Sequence, residues 1–502
     1  MASNGAQEAQ ASRSSTDQHN QHDQLREPLL PPPSDNSSSS TPSGHGDTAQ
    51  VRLVDGMPLG TSILLKSLYF LEALGSSAWG RFATIYYNGH GLDPSQIGLI
   101  EGLMPVVRAV SQPFWGGIAD TYHCRKLVYL ITRAGSTVIL LTLSLPWVYG
   151  SWIRMLYVTL STRLFEASGV LDAYTLDLLG TENRMKYGRY RLWAGASWGL
   201  GSIVIGFITD RYGFEPNFII FGILAAITLV LIAWKIPDKV REDTGRSTND
   251  ETAESDTVMD LIKLAISPRV SGFMVINVVM GMGMATVERL LFLYLVNDLG
   301  ASNLLCGISV GVSVMTEIPV FWHAERIMKA LGHDGMMAVS MICFFTRVFG
   351  YTLLTPATKL WVLPLEATHG VTFALFWSAS TDVTKALINR AKGWNTTIPI
   401  LVQTLYTSVG VGLGSVLGGL LMKEWGSREM YRCVAAMVLV LFILHIVASA
   451  ISRAVFKHPF LPDHDDSIDT TVDASDQRGN HEEGDDDTER QSFCDEEGTD
   501  GV

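Results

Sequence analysis

Between Leu59 and Lys457 the chain alternates long apolar runs with short polar loops. Twelve runs stand out, at about 59–88, 94–119, 127–149, 152–179, 191–213, 217–236, 269–296, 302–323, 334–355, 358–384, 395–423 and 430–454. Each reaches the roughly 20 residues that a helix needs to cross about 30 Å of hydrocarbon. Pro and Gly inside several of them are compatible with this, because neighbouring helices can satisfy the freed backbone groups. The longest internal gap, 237–268, carries Lys239, Arg241, Glu242 and Asp243 and divides the runs six and six. The pattern predicts an all-α integral membrane protein with twelve transmembrane helices in two six-helix halves, 59–236 and 269–457, joined by a polar central loop.

Composition agrees: 47% of residues are hydrophobic and only 17% charged, against about 25% charged in soluble domains. The net charge of −13 is unusual for a membrane protein, but it is unevenly placed. Residues 459–502 carry a net −14 and residues 1–58 a net −4, so the core between them is +5. Residues 1–58, with Ser37–Ser40 and Pro31–Pro33, have too little apolar surface to offset ordering entropy and are expected to be a disordered tail. The acidic stretch 458–502 is expected to be a second, solvated tail. No signal peptide is expected ahead of the first apolar run. Glu27-Pro28-Leu29-Leu30 resembles a sorting dileucine with a misplaced acid, and Ser492 precedes acids that suit an acid-directed kinase.

Basic residues orient the core. With both termini cytoplasmic, the inner loops hold Arg125, Lys126, Arg184, Lys186, Arg189, Lys239, Arg241 and others, whereas the outer loops hold chiefly Arg154, Arg211, Lys359 and Arg428. The sequon at Asn395 then falls at a cytoplasmic helix end and should stay unmodified. Plasma membrane and endomembrane fit equally. The five cysteines have neither CxxC nor metal-ligand spacing, so no disulfide framework, metal or other cofactor is expected. HExxH, GxSxG and Walker motifs are absent, and nothing points to nucleic acid, an enzyme or ATP-driven transport.

The second run ends Gly116-Gly117-Ile118-Ala119-Asp120, followed by Arg125-Lys126. In a six-plus-six layout this resembles the signature loop of the major facilitator superfamily, although Thr121 and His123 replace its usual basic residue and glycine. Gly117 would allow close helix approach, and Asp120, Arg125 and Lys126 would form pairs that make and break as the protein gates. Tyr187-Gly188-Arg189-Tyr190-Arg191-Leu192-Trp193, followed by Trp198-Gly199, and a second block from Trp361 to Trp377 resemble the MFS-1-like family, which is similar to the lactose permease and nucleoside–proton symporters. The resemblance spans about 60–457. It implies the major facilitator fold, a substrate pathway between pseudo-symmetric bundles, and alternating access about a site near the midplane.

Ionisable residues buried in a bilayer cost at least about 2.5–3.5 kcal/mol and so mark pairs or pathways. The predicted spans hold Glu72, Arg81, Glu101, Arg108, Arg133, Arg163, Glu166, Asp172 and Asp177, then Glu288, Arg289, Glu317, Arg347, Glu366, His369 and Asp382. Static ion pairs that hold the bundle together account for many of them equally well. Glu366 and His369, three apart, share a helix face; with Glu317 and Arg347 they form a candidate proton-coupling set, with Glu366 or Glu317 as carrier. A similar Glu, Arg, His and Glu set occurs in the lactose permease, with His and Glu in the opposite order. Glu166 and Asp172, with Arg191 fixing Glu166 and Trp198 stacking on a ring, are candidates for solute contact; Arg191 could instead pair with Asp177, and Trp198 could simply pack. The expected function is secondary transport of a small polar organic solute, sugar- or nucleoside-like, by proton symport in a monomer embedded in the lipid bilayer. A facilitative uniporter or exporter, or a receptor or scaffold on a transporter fold, are the alternatives.

Overall fold

The computed structural model describes residues 53–55, 57–166, 169–183, 186–236, 258–391 and 393–463. Most of both tails, including the Glu27–Leu30 and Ser492 features, lies outside the described residues, as do 237–257 of the central loop, Arg184 and Lys392. The helices of the first half are α1 (Leu59–Ser77), α2 (Ala83–Gly89), α3 (Pro94–Thr121), α4 (Arg125–Leu141), α5 (Pro146–Tyr149), α6 (Trp152–Leu164), α7 (Gly169–Asn183), α8 (Tyr187–Tyr212) and α9 (Glu215–Lys235). After α10 (Val258–Ile266) come α11 (Pro268–Leu293), α12 (Asn303–Trp322), α13 (Ala324–Thr352), α14 (Val362–Arg390), α15 (Thr397–Thr404), α16 (Gly412–Trp425) and α17 (Ser427–Ile451).

Eight of the twelve expected spans are helices long and apolar enough to cross a membrane by length and composition. The other four are helical but modified. The first is broken by a 3-10 turn at Gly80–Phe82, and the fourth is divided between α6 and α7. The second, α3, contains Pro105 and Pro113, and the tenth, α14, carries Glu366, Asp382 and Lys385. The expected N-terminal tail also ends earlier than residue 58. Leu53–Val54 pairs antiparallel with Met57–Pro58, because Met57 is buried and Asp55 lies 3.3 Å from Arg189 and 3.5 Å from Lys186.

In the first half α1 packs on α8 and α9, and α4 on α6 and α9; in the second, α13 packs on α14 and α17, and α11 on α16 and α17. The halves meet through α8 against α12 and α3 against α16. Both seams run toward the end that bears loops 90–93, 299–302 and residue 426, here termed the upper end. Glycine makes the α3–α16 seam possible: a Cβ on Gly98 would lie 2.4 Å from the Ser415 carbonyl oxygen, and one on Gly419 would lie 2.4 Å from that of Pro94.

Beyond α17 the chain turns back through Lys457, whose φ is 59°, and is clamped at the lower end. Asp334, 3% exposed, accepts the backbone N–H groups of Phe460 (2.9 Å) and Leu461 (3.0 Å). Arg269 donates to the carbonyls of the same two residues at 3.0 and 3.1 Å.

Candidate functional site

At the upper end the seam is locked by polar contacts. Asp210, at the end of α8, accepts the N–H groups of Asn303 and Leu304, both at 2.8 Å, and the Asn303 side chain at 2.9 Å. It therefore caps the N-terminus of α12 from the other half of the chain, where helix N–H groups lack internal partners. Asp93 pairs with Lys423 at 3.1 Å, and Asn88 donates to Asn297 at 3.1 Å. Deeper in the seam Arg289 meets Glu101 at 2.9 Å, with Glu101 only 1% exposed.

At the lower end of the first half, Arg125 holds two carboxylates: Asp120, at 3.0 Å, and Asp177 on α7. The signature loop is thus fastened to the fourth span. Lys126 follows Arg125 at the start of α4. Gly117 does not mediate the expected close approach; a Cβ there would meet nothing within 4 Å, because the tight seams lie at the upper end.

The substrate-contact set divides into two. Glu166 lies at the break in the fourth span, held by Arg108 at 3.1 Å and Arg163 at 2.8 Å. The carbonyls freed by that break are met from α3: Ser111 donates to Arg163 O at 2.6 Å and Trp115 to Leu164 O at 2.7 Å. Arg191 does not fix Glu166, nor does it pair with Asp177. It lies 3.5 Å from Asp172, which also accepts the Tyr69 hydroxyl at 2.7 Å. The reason is register: Asp172 starts α7 beside the first turn of α8, whereas Glu166 lies beyond the break. Trp198 packs over the notch at Gly80, where a Cβ would lie 2.4 Å from its ring.

In the second half, Arg347 (α13) and His369 (α14) are direct partners, and both are buried. Glu366, fully buried, accepts hydroxyl bonds from Ser313 on α12 at 2.8 Å and from Tyr351 on α13. Among the described residues no cation lies at ion-pair distance from it. Glu317 lies within electrostatic reach of Glu288 and Arg81, the latter in the break of the first span. The structure therefore brings Arg347 and His369 together and Glu366 near them, with Glu317 one step away toward the first half.

The family model described as "MFS_1 like family" matches residues 62–433. The chain belongs to the MFS_1 like family. The class of activity that goes with this membership is membrane transport, and the protein is a multi-pass integral membrane protein. A Bacillus subtilis relative named as uncharacterized transporter YwbF is 22% identical over 354 residues, covering 70% of this chain and 83% of its own length. The human "major facilitator superfamily domain-containing protein 6-like" is 24% identical, but the match covers only 34% of this chain and 28% of the human protein. Among solved structures, a variant of the nucleoside transporter NupG superposes with a TM-score of 0.64 at 17% identity, covering 77% of this chain and 99% of that one. That likeness shows the major facilitator fold.

In this MFS_1 like protein the sequence reading missed the hydroxyl partners Tyr69, Ser313 and Tyr351 and the pairing of Glu101 with Arg289. Uncharged hydroxyls carry no signal in a search for interior charges. The Glu101–Arg289 pair joins residues 188 apart, beyond any local pattern.

Proposed function

We propose that this protein is a proton-coupled secondary transporter of a small polar organic solute, sugar- or nucleoside-like, that works as a monomer by alternating access. The observation that carries the proton coupling is Glu366. A fully buried carboxyl that, among the described residues, is bonded by two hydroxyls and lies in no ion pair can change its protonation without an ion pair being broken. The Arg347–His369 pair beside it supplies a second group whose bonding changes with proton occupancy.

The solute class draws support from the resemblance to NupG, a nucleoside transporter, and from interior polar groups in both halves. With the basic loops and both tails placed in the cytoplasm, the upper end is the outer face, and its locked seams describe a state closed outward. Opening requires Asp210 to release α12, Lys423 to leave Asp93 and the glycine seam to part, while the lower ends approach.

The test uses purified full-length protein in proteoliposomes with a trapped pH indicator and uridine or methyl β-galactoside outside. The expected result is solute-driven proton uptake in the wild type and its loss in Glu366→Gln, with downhill solute flux retained. Solute-driven proton uptake that survives in the Glu317→Gln/Glu366→Gln double variant would overturn the coupling assignment.

A further inference from the structure

Between α11, α14 and the α15 segment lies a cavity of about 250 Å³, lined by none of the residues assigned above to proton coupling, solute contact or gating. We propose that it seats the ring of the transported solute, a neutral hydroxylated ring such as a sugar or the base or ribose of a nucleoside; this rests on the transporter reading above. The size suits one ring with its substituents, being below the roughly 300–1,000 Å³ of drug-sized sites.

Its walls are Trp377 and Tyr406, with ring centroids 5.7 Å apart and planes at 73°. Together they offer apolar faces at an angle, against which the flat or C–H-rich face of a ring can stack. Tyr406 is only 6% exposed, yet its hydroxyl, lining the cavity, has no hydrogen bond among the described residues, and a buried phenol usually has one. It lies in a π-helical stretch, Leu405–Val411, a wide turn of the kind that often re-aims side chains at functional sites.

The floor is polar and preorganised. Asn277, 1% exposed, donates to Phe273 O and accepts from Ser380 Oγ, both at 2.9 Å. One of its two amide hydrogens remains for a guest. Thr381 and Gln403 line the opening with side chains that carry no hydrogen bond among the described residues. Lys385, at the rim, lies 3.8 Å from Asp382, so the rim charge is already balanced and a neutral guest fits best.

The site is also connected to the charged residues. Trp377 stacks on Phe373 and Phe373 on His369, each pair at 5.9 Å between centroids. Eight residues of helix place Trp377 about 12 Å from His369. A ring seated on Trp377 is thus one stacked aromatic away from the Arg347–His369 pair, a direct physical link between cargo and the proton-handling residues.

The experiment measures equilibrium binding of tritiated uridine and of methyl β-galactoside to full-length protein in nanodiscs. Trp377→Leu and Gln403→Ala are compared with Trp361→Leu, a control on the exposed surface. Expected are an about tenfold weaker affinity for at least one probe in both cavity variants, an unchanged affinity in the control, and unchanged melting temperatures without ligand. Gln403 is exposed, so its variant reports even if Trp377→Leu fails to fold. Wild-type affinity in Gln403→Ala, or in both cavity variants, overturns the ring site and leaves the transporter reading standing. Stabilisation of the wild type by acyclic polyols or amino acids alone overturns only the ring assignment, whereas a wild type that binds no small polar solute overturns both.

Discussion

Asp93 is a carboxylate whose contacts fix its charge. Its carboxylate accepts Ser95 Oγ at 2.5 Å and the Gln96 N–H at 3.0 Å and faces Lys423. Partial burial opposes its ionisation, but these hydrogen bonds and the lysine outweigh it and hold the group down at about 2, from an ordinary 3.8. A depressed carboxylate contributes its stabilisation fully above the unfolded value and loses it as pH falls through the folded one. The Asp93–Lys423 bridge therefore stays intact from pH 8 down past pH 5 and is a latch without a proton sensor. A double-mutant cycle of Asp93→Asn with Lys423→Gln, read by thermal unfolding, should give a coupling of about 0.2–1 kcal/mol, equal at pH 8 and pH 5. A coupling that fades across this range would contradict the assignment. The proton carrier proposed above is Glu366, whose face-sharing with His369 was legible from their spacing of three. Their partners were not: Ser313 and Tyr351 serve one, Arg347 the other, and they come from two further helices.

At the level of elements, hydropathy located the spans well because a bilayer demands about 20 apolar residues wherever the chain crosses. The breaks were hidden. The fourth span reads as continuous from 152 to 179, yet α6 stops at Leu164 and α7 begins at Gly169. What makes that stop tolerable is Ser111 and Trp115, 52 and 49 residues earlier, which satisfy the freed carbonyls. Glycines in α3 and α16 were visible, but their meaning came only with the seam. Gly98→Val should drive a side chain into the α16 backbone, at an overpacking cost of about 1–3 kcal/mol to the arrangement with the upper end closed. Spin labels at Ser95 and Glu424 should then report a longer mean distance than in the wild type. An unchanged distance distribution would show that the seam does not hold the upper end shut.

On the scale of the whole molecule, the segment after α17, through Phe460 and Leu461, is built into the second half. Removing everything after Asp463 leaves the Asp334–Arg269 clamp intact and should leave the melting temperature unchanged. Ending the chain at Lys457 strips Asp334 of its two backbone donors and should cost about 1–3 kcal/mol, seen as a lower melting temperature in detergent. Equal melting of the two truncations would refute a structural role for the clamp. The Glu101–Arg289 pair carries a consequence of another kind, for biosynthesis. Most interior acids of the first half find a partner made nearby: Arg108 and Arg163 for Glu166, Arg191 for Asp172, Arg125 for Asp177. Glu101 must wait through 188 further residues for its counter-ion. Until the ribosome has delivered α11, the nascent first half holds an acid without its ion-pair partner on the face that α11 will cover, and the arrival of Arg289 adds one buried link between the two halves.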